Sequence, residues 1–120
     1  MNVRVMTFNM RVNSASDGEN AWPHRVDRVV RTIRRHAPDV MGTQELTAPM
    51  LADLRSRLEE YGWVGQGRLG GEDGEWSAIA YRTADWKPVD SGTFWLSETP
   101  EVPGSISWDS SLPRICTWCL

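Results

Sequence analysis

The sequence begins with a strand–helix–strand pattern over residues 2–44 that strongly limits the folds open to it. Residues 2–9 alternate apolar and polar side chains, which is typical of a β-strand, and residues 39–44 are predicted to form a second, short buried strand. Between them, residues 23–36 begin with a proline and carry apolar side chains at helical spacing. A helix that joins two strands of one sheet makes them parallel, so the pattern predicts a βαβ unit.

Two polar side chains lie at the ends of these predicted strands. Asn9 ends the first strand and Glu45 follows the second. Because parallel strands end at the same edge of a sheet, where ligands bind in open α/β sheets, we expect the two side chains to lie close together. A carboxylate and an amide oxygen are ligands that suit Mg²⁺. The alternative is that Asn9 is a turn residue and Glu45 a solvent-exposed strand end, since Asn is favoured in turns for local reasons.

Beyond this unit the sequence predicts a second helix, several short strands and two loops. The helix begins after Thr47, carries an apolar stripe as far as Tyr61 and stops at Gly62, which suits a C-terminal cap. Residues 67–75 hold four glycines and are predicted to form a flexible loop, and residues 97–113 a long irregular one. The further predicted strands are residues 63–66, 76–82, 86–96 and 114–120.

Composition narrows the classes of function. A chain of 120 residues is at most one domain, and its net charge is −3. A surface that coats nucleic acid would be basic, so the charge argues against a simple DNA- or RNA-binding module. A nuclease stays open, because a metal ion can neutralise phosphate locally. The sequence has no apolar run of eighteen residues and no signal-peptide pattern, so we expect no membrane span and a cytoplasmic location.

The cysteines and the helical arginines have less specific interpretations. Cys116 and Cys119 form a C-x-x-C, a spacing that usually suggests zinc binding or thiol exchange. Residues three apart in a strand point to opposite faces, so we expect this pair to be packing residues instead. The arginines of the first helix are predicted to form a solvated face, with phosphate contact by some of them as the alternative. They are Arg25, Arg28, Arg31, Arg34 and Arg35.

Three segments of the chain resemble the endonuclease/exonuclease/phosphatase family. Residues 5–9, VMTFN, are similar to its first strand with a metal-site Asn, and residues 38–45, PDVMGTQE, to its second strand with a metal-binding Glu. Residues 74–81, GEWSAIAY, are similar to a third segment whose Glu orients a catalytic His in some members. The resemblance implies that Asn9 and Glu45 are metal ligands.

Two further site residues are predicted within the segments that carry the resemblance. Glu75 is the carboxylate of the third segment, and the resemblance implies a catalytic role for it. Residues 94–118 are similar to a bacterial subgroup of the family whose substrate is uncertain. Arg114, at the start of the last predicted strand, is the predicted substrate-binding residue.

The resemblance also implies a fold and an activity. The expected fold is α+β, half of a four-layer α/β/β/α sandwich, with one mixed sheet, two outer helices and the second sheet absent. Residues 1–120 would be the N-terminal portion of a single domain of this family. The implied activity is hydrolysis of a phosphodiester or phosphomonoester by an activated water, with Mg²⁺ or Mn²⁺ as cofactor. The family's Asp/His base and G-D-x-N segment have no counterpart in the sequence, so we expect a fragment that is inactive alone.

A non-catalytic half-domain is the alternative hypothesis. It would self-associate or pair with a partner's sheet instead of acting on a phosphate ester. The chain holds seven tryptophans, and a strand face bearing Trp76, Ile79 and Trp95 would stay uncovered without a second sheet. Large exposed apolar patches of this kind drive association.

Overall fold

The computed structural model describes all residues from 1 to 120 and contains six β-strands and two α-helices. In chain order these are β1 (Val5–Asn9), α1 (Trp22–His36), β2 (Val40–Gln44), α2 (Ala48–Arg57), β3 (Tyr61–Val64), β4 (Ile79–Arg82), β5 (Ser91–Trp95) and β6 (Ile115–Cys119). A short 3₁₀ segment, Ala15–Asn20, precedes α1. The fold is α+β, as the resemblance implied.

The strands form one mixed sheet and one small antiparallel sheet. The four-stranded sheet has the order β1-β2-β4-β3. β1 and β2 are parallel, as the βαβ pattern predicts, whereas β4 is antiparallel to both of its neighbours. β5 and β6 pair with each other in a separate two-stranded sheet. The last two predicted strands therefore do not extend the mixed sheet, which has four strands.

The core lies between the two helices and the four-stranded sheet. α1 has proline in its first turn and is capped after His36 by Ala37, which adopts a left-handed conformation and donates its N–H to the Ile33 carbonyl. Ile33, Met41 and Leu54 are fully buried, so both helices and β2 contribute to one apolar cluster. His24 and four of the five α1 arginines are exposed, as the predicted solvated face requires. Neither helix is long and apolar enough to cross a membrane.

α2 ends earlier than its apolar stripe predicts. The helix stops at Arg57, and Tyr61 and Gly62 lie in β3. The Tyr61 hydroxyl is buried and donates to the Pro38 carbonyl at 2.6 Å, while the backbone of β3 pairs with β4. Sheet pairing and this buried hydrogen bond therefore outweigh the helical spacing that placed Tyr61 in the helix.

The glycine-rich segment 67–75 is closed by backbone hydrogen bonds and is not an open loop. Gly67 N–H donates to the Gly71 carbonyl at 2.8 Å, and Leu69 N–H donates to Asp73 at 3.1 Å. A side chain at Gly67 would overlap the Asp73 backbone, so the close approach requires glycine there. The glycines that suggested flexibility instead permit a tight turn.

Residues 76–78 follow this segment and run beside the end of β2 before β4 begins. Trp76 N–H donates to the Leu46 carbonyl at 2.6 Å. The backbone N–H and the hydroxyl of Thr43 both donate to the Ala78 carbonyl, at 2.9 and 2.8 Å. Regular pairing starts only at Ile79, so the strand predicted from residue 76 is shorter than expected. These contacts bring Glu75, the residue before Trp76, next to the end of β2.

Two expectations about packing are wrong. Trp76 and Trp95 do not lie on an uncovered face, because they are only 6% and 2% exposed and their indole N–H groups donate to carbonyls of the 67–75 segment. Cys116 and Cys119 are free and exposed, not packing residues. β6 lies in a two-stranded sheet that does not cover their side chains.

Candidate active site

The ends of β1 and β2 bring Asn9 and Glu45 together. Asn9 pairs with Gln44 in the parallel register, and Met10 N–H donates to the Gln44 carbonyl at 3.0 Å. Glu45 has a φ of +62°, so the chain turns away from β2 at this residue. A non-glycine residue in this left-handed region is strained, and such strain persists where surrounding contacts impose it, often at functional sites.

The loop after β1 links the two side chains. Asn9 Oδ1 accepts a hydrogen bond from Arg11 N–H at 2.8 Å, and Glu45 Oε2 accepts one from Val12 N–H at 2.9 Å. Glu45 Oε1 has no hydrogen-bond partner within the protein. One carboxylate oxygen is therefore used to fix the side chain, and the other stays available to a ligand.

Arg25 holds this loop against α1. Its guanidinium donates to the carbonyls of Met10, Arg11 and Asn20 at 2.7, 2.8 and 2.5 Å. It also lies over the Trp22 ring, 5.5 Å from its centroid. The prediction of a solvated face is wrong for this one arginine. The sequence did hold a sign of this contact. Arg25 lies three residues after Trp22 in the first helical turn, directly after a polar loop.

An ion pair fixes the outer side of the loop. Arg11 donates to both oxygens of Asp17, at 3.1 and 2.9 Å. Hydrogen bonding from Arg11 lowers the pKa of the Asp17 carboxyl, and the same contact raises the pKa of Arg11, with a further small contribution from the charge of Glu45. The 3₁₀ segment is thereby tied to the loop that positions Asn9 and Glu45.

All four residues predicted for the site line one cleft of about 340 Å³. Asn9 and Glu45 lie at the strand ends, Glu75 precedes the Trp76 bridge to Leu46, and Arg114 lies just before β6. The Arg114 side chain is exposed and has no hydrogen-bond partner in the protein. The other residues that line the cleft are Gln44, Arg68, Trp76, Ser77, Leu96, Pro113 and Ile115.

Arg68 is a residue of the cleft that sequence reasoning did not identify. Its Nη1 donates to Glu75 Oε2 at 2.9 Å, and both side chains are largely buried. Glu75 therefore pairs with an arginine, and the two histidines lie elsewhere, at the ends of α1. The available signal was an isolated arginine within an otherwise glycine-rich and acidic segment.

The donor set of the cleft fits a hard divalent cation. Glu45 Oε1 is free, and Asn9 Oδ1, the side-chain amide oxygen, has a second lone pair. Both side chains are held in place by the loop after β1. No group of three or more His, Cys, Asp or Glu side chains is clustered as a metal site. A small number of oxygen ligands is typical of Mg²⁺, which keeps several waters, and not of structural zinc.

A second, larger cleft of about 520 Å³ lies at the opposite end of β1 and β2. Arg4, Asp39 and Arg82 line it. Asp39 Oδ2 accepts a hydrogen bond from Arg4 N–H at 2.7 Å, and this bond lowers the pKa of the Asp39 carboxyl. The guanidinium of Arg4 donates to the His36 carbonyl at 2.7 Å. The guanidiniums of Arg4 and Arg82 thus bind the end of α1, whereas Asp39 Oδ1, like Glu45 Oε1, has no hydrogen-bond partner within the protein.

Comparison with known proteins places the chain in a family. The model of the endonuclease/exonuclease/phosphatase family matches residues 6–103. A family member of known structure from Bacteroides vulgatus is 41% identical, with a TM-score of 0.95 over 98% of this chain and 45% of its own. A mannosyl-6-phosphatase from Bacteroides thetaiotaomicron is 40% identical, with a TM-score of 0.94 over 98% of this chain and 45% of its own.

A conserved protein from Enterococcus faecalis is 32% identical, with a TM-score of 0.90 over 97% of this chain and 45% of its own. No curated protein sequence matches the chain. The chain thus spans less than half the length of these solved relatives and matches them over nearly all of its own residues. On the match over residues 6–103 and these identities, the chain belongs to the endonuclease/exonuclease/phosphatase family.

Proposed function

We propose that this chain carries the metal-binding part of a phosphoric ester hydrolase that uses Mg²⁺ or Mn²⁺. The observation that supports the proposal is the free Glu45 oxygen, held beside Asn9 in a cleft that also contains Glu75 and Arg114. Glu45 and Asn9 are the residues that would hold the ion. A bound ion of this kind stabilises charge that develops on a phosphoryl oxygen while water attacks phosphorus.

The chain's own residues would bind and orient the substrate. Arg114 lines the cleft with a guanidinium that has no partner in the protein, and guanidinium donors match two oxygens of a phosphate group. Trp76, Leu96 and Ile115 supply apolar surface to the same cleft. This combination suits a small ligand that has a phosphate group and a less polar body.

A phosphomonoester is the substrate class that we favour over a long nucleic acid. A relative that shares 40% of its residues with this chain is a mannosyl-6-phosphatase. The net charge of −3 is unfavourable for binding along a polyanion. The cleft volume of about 340 Å³ is that of a small-molecule site.

Turnover by residues 1–120 alone is expected to be slow. His24 and His36 lie at the two ends of α1 and neither lines the cleft, so no histidine is available there as a general base. A general base contributes ~10²–10⁴-fold to rate. We therefore expect the 120 residues to bind the ion and phosphate but to hydrolyse esters poorly.

Titration with Mg²⁺ tests the metal site directly. We expect the amide NMR signals of Asn9, Val12 and Glu45 to shift on addition of Mg²⁺, and Glu45→Ala to weaken binding at least ~10-fold. Glu59→Ala is the matched control, because Glu59 is an exposed carboxylate without a hydrogen-bond partner. Equal Mg²⁺ affinity in Glu45→Ala and the original chain would disprove the site assignment.

Hydrolysis of p-nitrophenyl phosphate and of bis(p-nitrophenyl) phosphate tests the substrate class. The assay is run with the full protein, with and without EDTA. We expect faster turnover of the monoester and loss of activity in EDTA. Preference for the diester would contradict the phosphomonoester proposal while leaving the metal site intact.

A non-catalytic, self-associating module is the second candidate function. β1 is an edge strand, and Val5 on it is 71% exposed. Unpaired edges and exposed apolar side chains favour pairing with a second copy. Light scattering coupled to size exclusion measures this. A dimer or larger assembly at micromolar concentration would support the second candidate, and a stable monomer would contradict it.

A further inference from the structure

The ion pair between Arg68 and Glu75 lies inside the cleft and gives these two residues distinct roles. Arg68 Nη1 is 2.9 Å from Glu75 Oε2, and the side chains are only 19% and 25% exposed. Both residues line the same cleft as Asn9 and Glu45. An ion pair in this position can present one of its members to a bound ligand.

Arg68 is held by its backbone as well as by its side chain. Its N–H donates to the Glu75 carbonyl at 3.0 Å, and its carbonyl accepts a hydrogen bond from the indole of buried Trp95 at 2.7 Å. The turn between Arg68 and Glu75 is itself closed by backbone hydrogen bonds. The arginine has therefore lost most of its conformational freedom before any ligand binds, which favours affinity.

The guanidinium keeps donors that the protein does not use. Arginine has five N–H donors, and Glu75 accepts from Nη1 alone. The other side-chain nitrogens of Arg68 have no protein partner, yet none of them is among the fully buried unsatisfied atoms. They are therefore at least partly accessible, and Arg68 lines the cleft, where a phosphate could accept their hydrogen bonds in the bidentate geometry that guanidinium favours.

We propose that Arg68 binds the phosphate group of the ligand and that Glu75 is its positioning residue, acting on the substrate through Arg68. This inference rests on the proposed function in one respect, that the cleft is the substrate site. It replaces the expectation of a directly catalytic Glu75. The carboxylate also balances the arginine's charge, so the pair offers oriented donors without the excess positive charge that would attract a polyanion.

Binding of inorganic phosphate to the metal-free chain tests the proposal. Titration calorimetry in EDTA gives the Kd, and the thermal midpoint of each variant establishes that it is folded. We expect Arg68→Ala to weaken phosphate binding ~10-fold. Arg68→Lys should weaken it by less, because lysine keeps the positive charge but lacks the paired N–H donors of guanidinium. Arg28→Ala, which removes an exposed arginine of α1 without a side-chain partner, should leave the Kd unchanged.

Variants of Glu75 separate positioning from direct contact. We expect Glu75→Ala to weaken phosphate binding several-fold, and Glu75→Gln to restore most of it because the amide oxygen still accepts from Arg68. In the double variant Arg68→Ala/Glu75→Ala, loss of Glu75 should add nothing to the loss of Arg68. Equal and additive effects of the two single variants would contradict the positioning role.

The proposal fails if Arg68→Ala binds phosphate as tightly as the original chain, or if the original chain shows no saturable phosphate binding. Its failure is distinguishable from that of the proposed function, because the titration contains no metal ion. Mg²⁺ binding that depends on Glu45 together with phosphate binding that ignores Arg68 would overturn this inference alone. Mg²⁺ binding that does not depend on Glu45, together with phosphate binding that depends on Arg68, would contradict the metal site and support the role of Arg68.

Discussion

The two ends of β1 and β2 both carry arginines and carboxylates, yet they differ in how the arginines are satisfied. At the end where the strands begin, the guanidiniums of Arg4 and Arg82 donate to the carbonyls of His36 and of Ala37 and Pro38. The carboxylates do not differ in this way, because Asp39 accepts from the Arg4 backbone through Oδ2 alone, as Glu45 accepts from the Val12 backbone through Oε2 alone. At the end where the strands finish, Glu45 keeps a free oxygen and Arg114 a free guanidinium.

This difference indicates that the hydrogen bonding of the arginines, and not the size of a cleft, separates the structural cluster from the candidate site. The cleft at the beginning of the strands is the larger, about 520 Å³ against about 340 Å³. Its arginines complete the carbonyl hydrogen bonds of the α1 C-terminus, where unsatisfied carbonyls would otherwise remain. Each polar group is expected to behave as its end of the sheet implies.

Arg25 should stabilise the fold as Arg4 and Arg82 do, because its guanidinium also donates to backbone carbonyls, although it lies near the candidate site. Arg25→Ala removes charge-assisted hydrogen bonds to three carbonyls and is expected to lower the free energy of unfolding by about 2 kcal/mol. Chemical denaturation measures this, with Arg28→Ala as the exposed control. A loss no larger in Arg25→Ala than in Arg28→Ala would contradict the anchoring role.

Asn9 should have its main effect on ligand binding, because its Oδ1 keeps a second lone pair beside the hydrogen bond from Arg11. Asn9→Ala is expected to weaken Mg²⁺ binding ~10-fold, or about 1.4 kcal/mol, by removing an oxygen ligand. Asn9→Asp keeps the oxygen and should retain binding. Arg4→Ala, at the opposite end, should lower stability and leave the Mg²⁺ affinity unchanged, and a reversed pattern in calorimetry would break the comparison.

Glu45 should show the strain that accompanies its position. Because its φ is +62°, Glu45→Gly is expected to be about 1 kcal/mol more stable than Glu45→Ala, although both lose the carboxylate. Chemical denaturation gives the free energy of unfolding of each variant. Because both variants lack the carboxylate, the difference between them reports the backbone conformation alone. Equal stability would show that the left-handed conformation relaxes once the carboxylate is gone.

Asp39 should give the smallest effect and one that depends on pH. The Arg4 N–H lowers its pKa from the ordinary value of 3.8, so its ionised form stabilises the fold above about pH 4. That stabilisation is lost as pH falls through the lowered pKa. The difference in thermal midpoint between the original chain and Asp39→Asn should therefore shrink below that pH, and a constant difference would contradict this assignment.

The sequence predicted the proximity of Asn9 and Glu45 because it follows from chain order alone. A crossover helix between two strands fixes their direction, and the strand ends then share an edge. The family resemblance was needed for the metal assignment, since a strand end alone does not distinguish a ligand from a turn residue. The identity and position of α1 and of the first two strands were predicted for the same local reasons.

Contacts made across the sheet and within turns were not predictable in this way. The glycines of residues 67–75 indicated flexibility, and only the closed turn shows that Arg68 and Glu75 meet. Helical periodicity assigned Arg25 to the solvent, because the loop that accepts its hydrogen bonds is not part of the helix. Tyr61 fitted a helical stripe equally well, and pairing with β4 decided its place.

The closed turn over residues 67–75 also constrains how this protein can change during evolution. Gly67 leaves no room for a side chain, and Gly74 has a φ of +80°, so both positions strongly favour glycine. Leu69 and Glu72, in contrast, are exposed near the tip. Homologues that keep this turn should therefore diverge at its tip, and new ligand preferences should arise there while the arginine beside it is inherited unchanged.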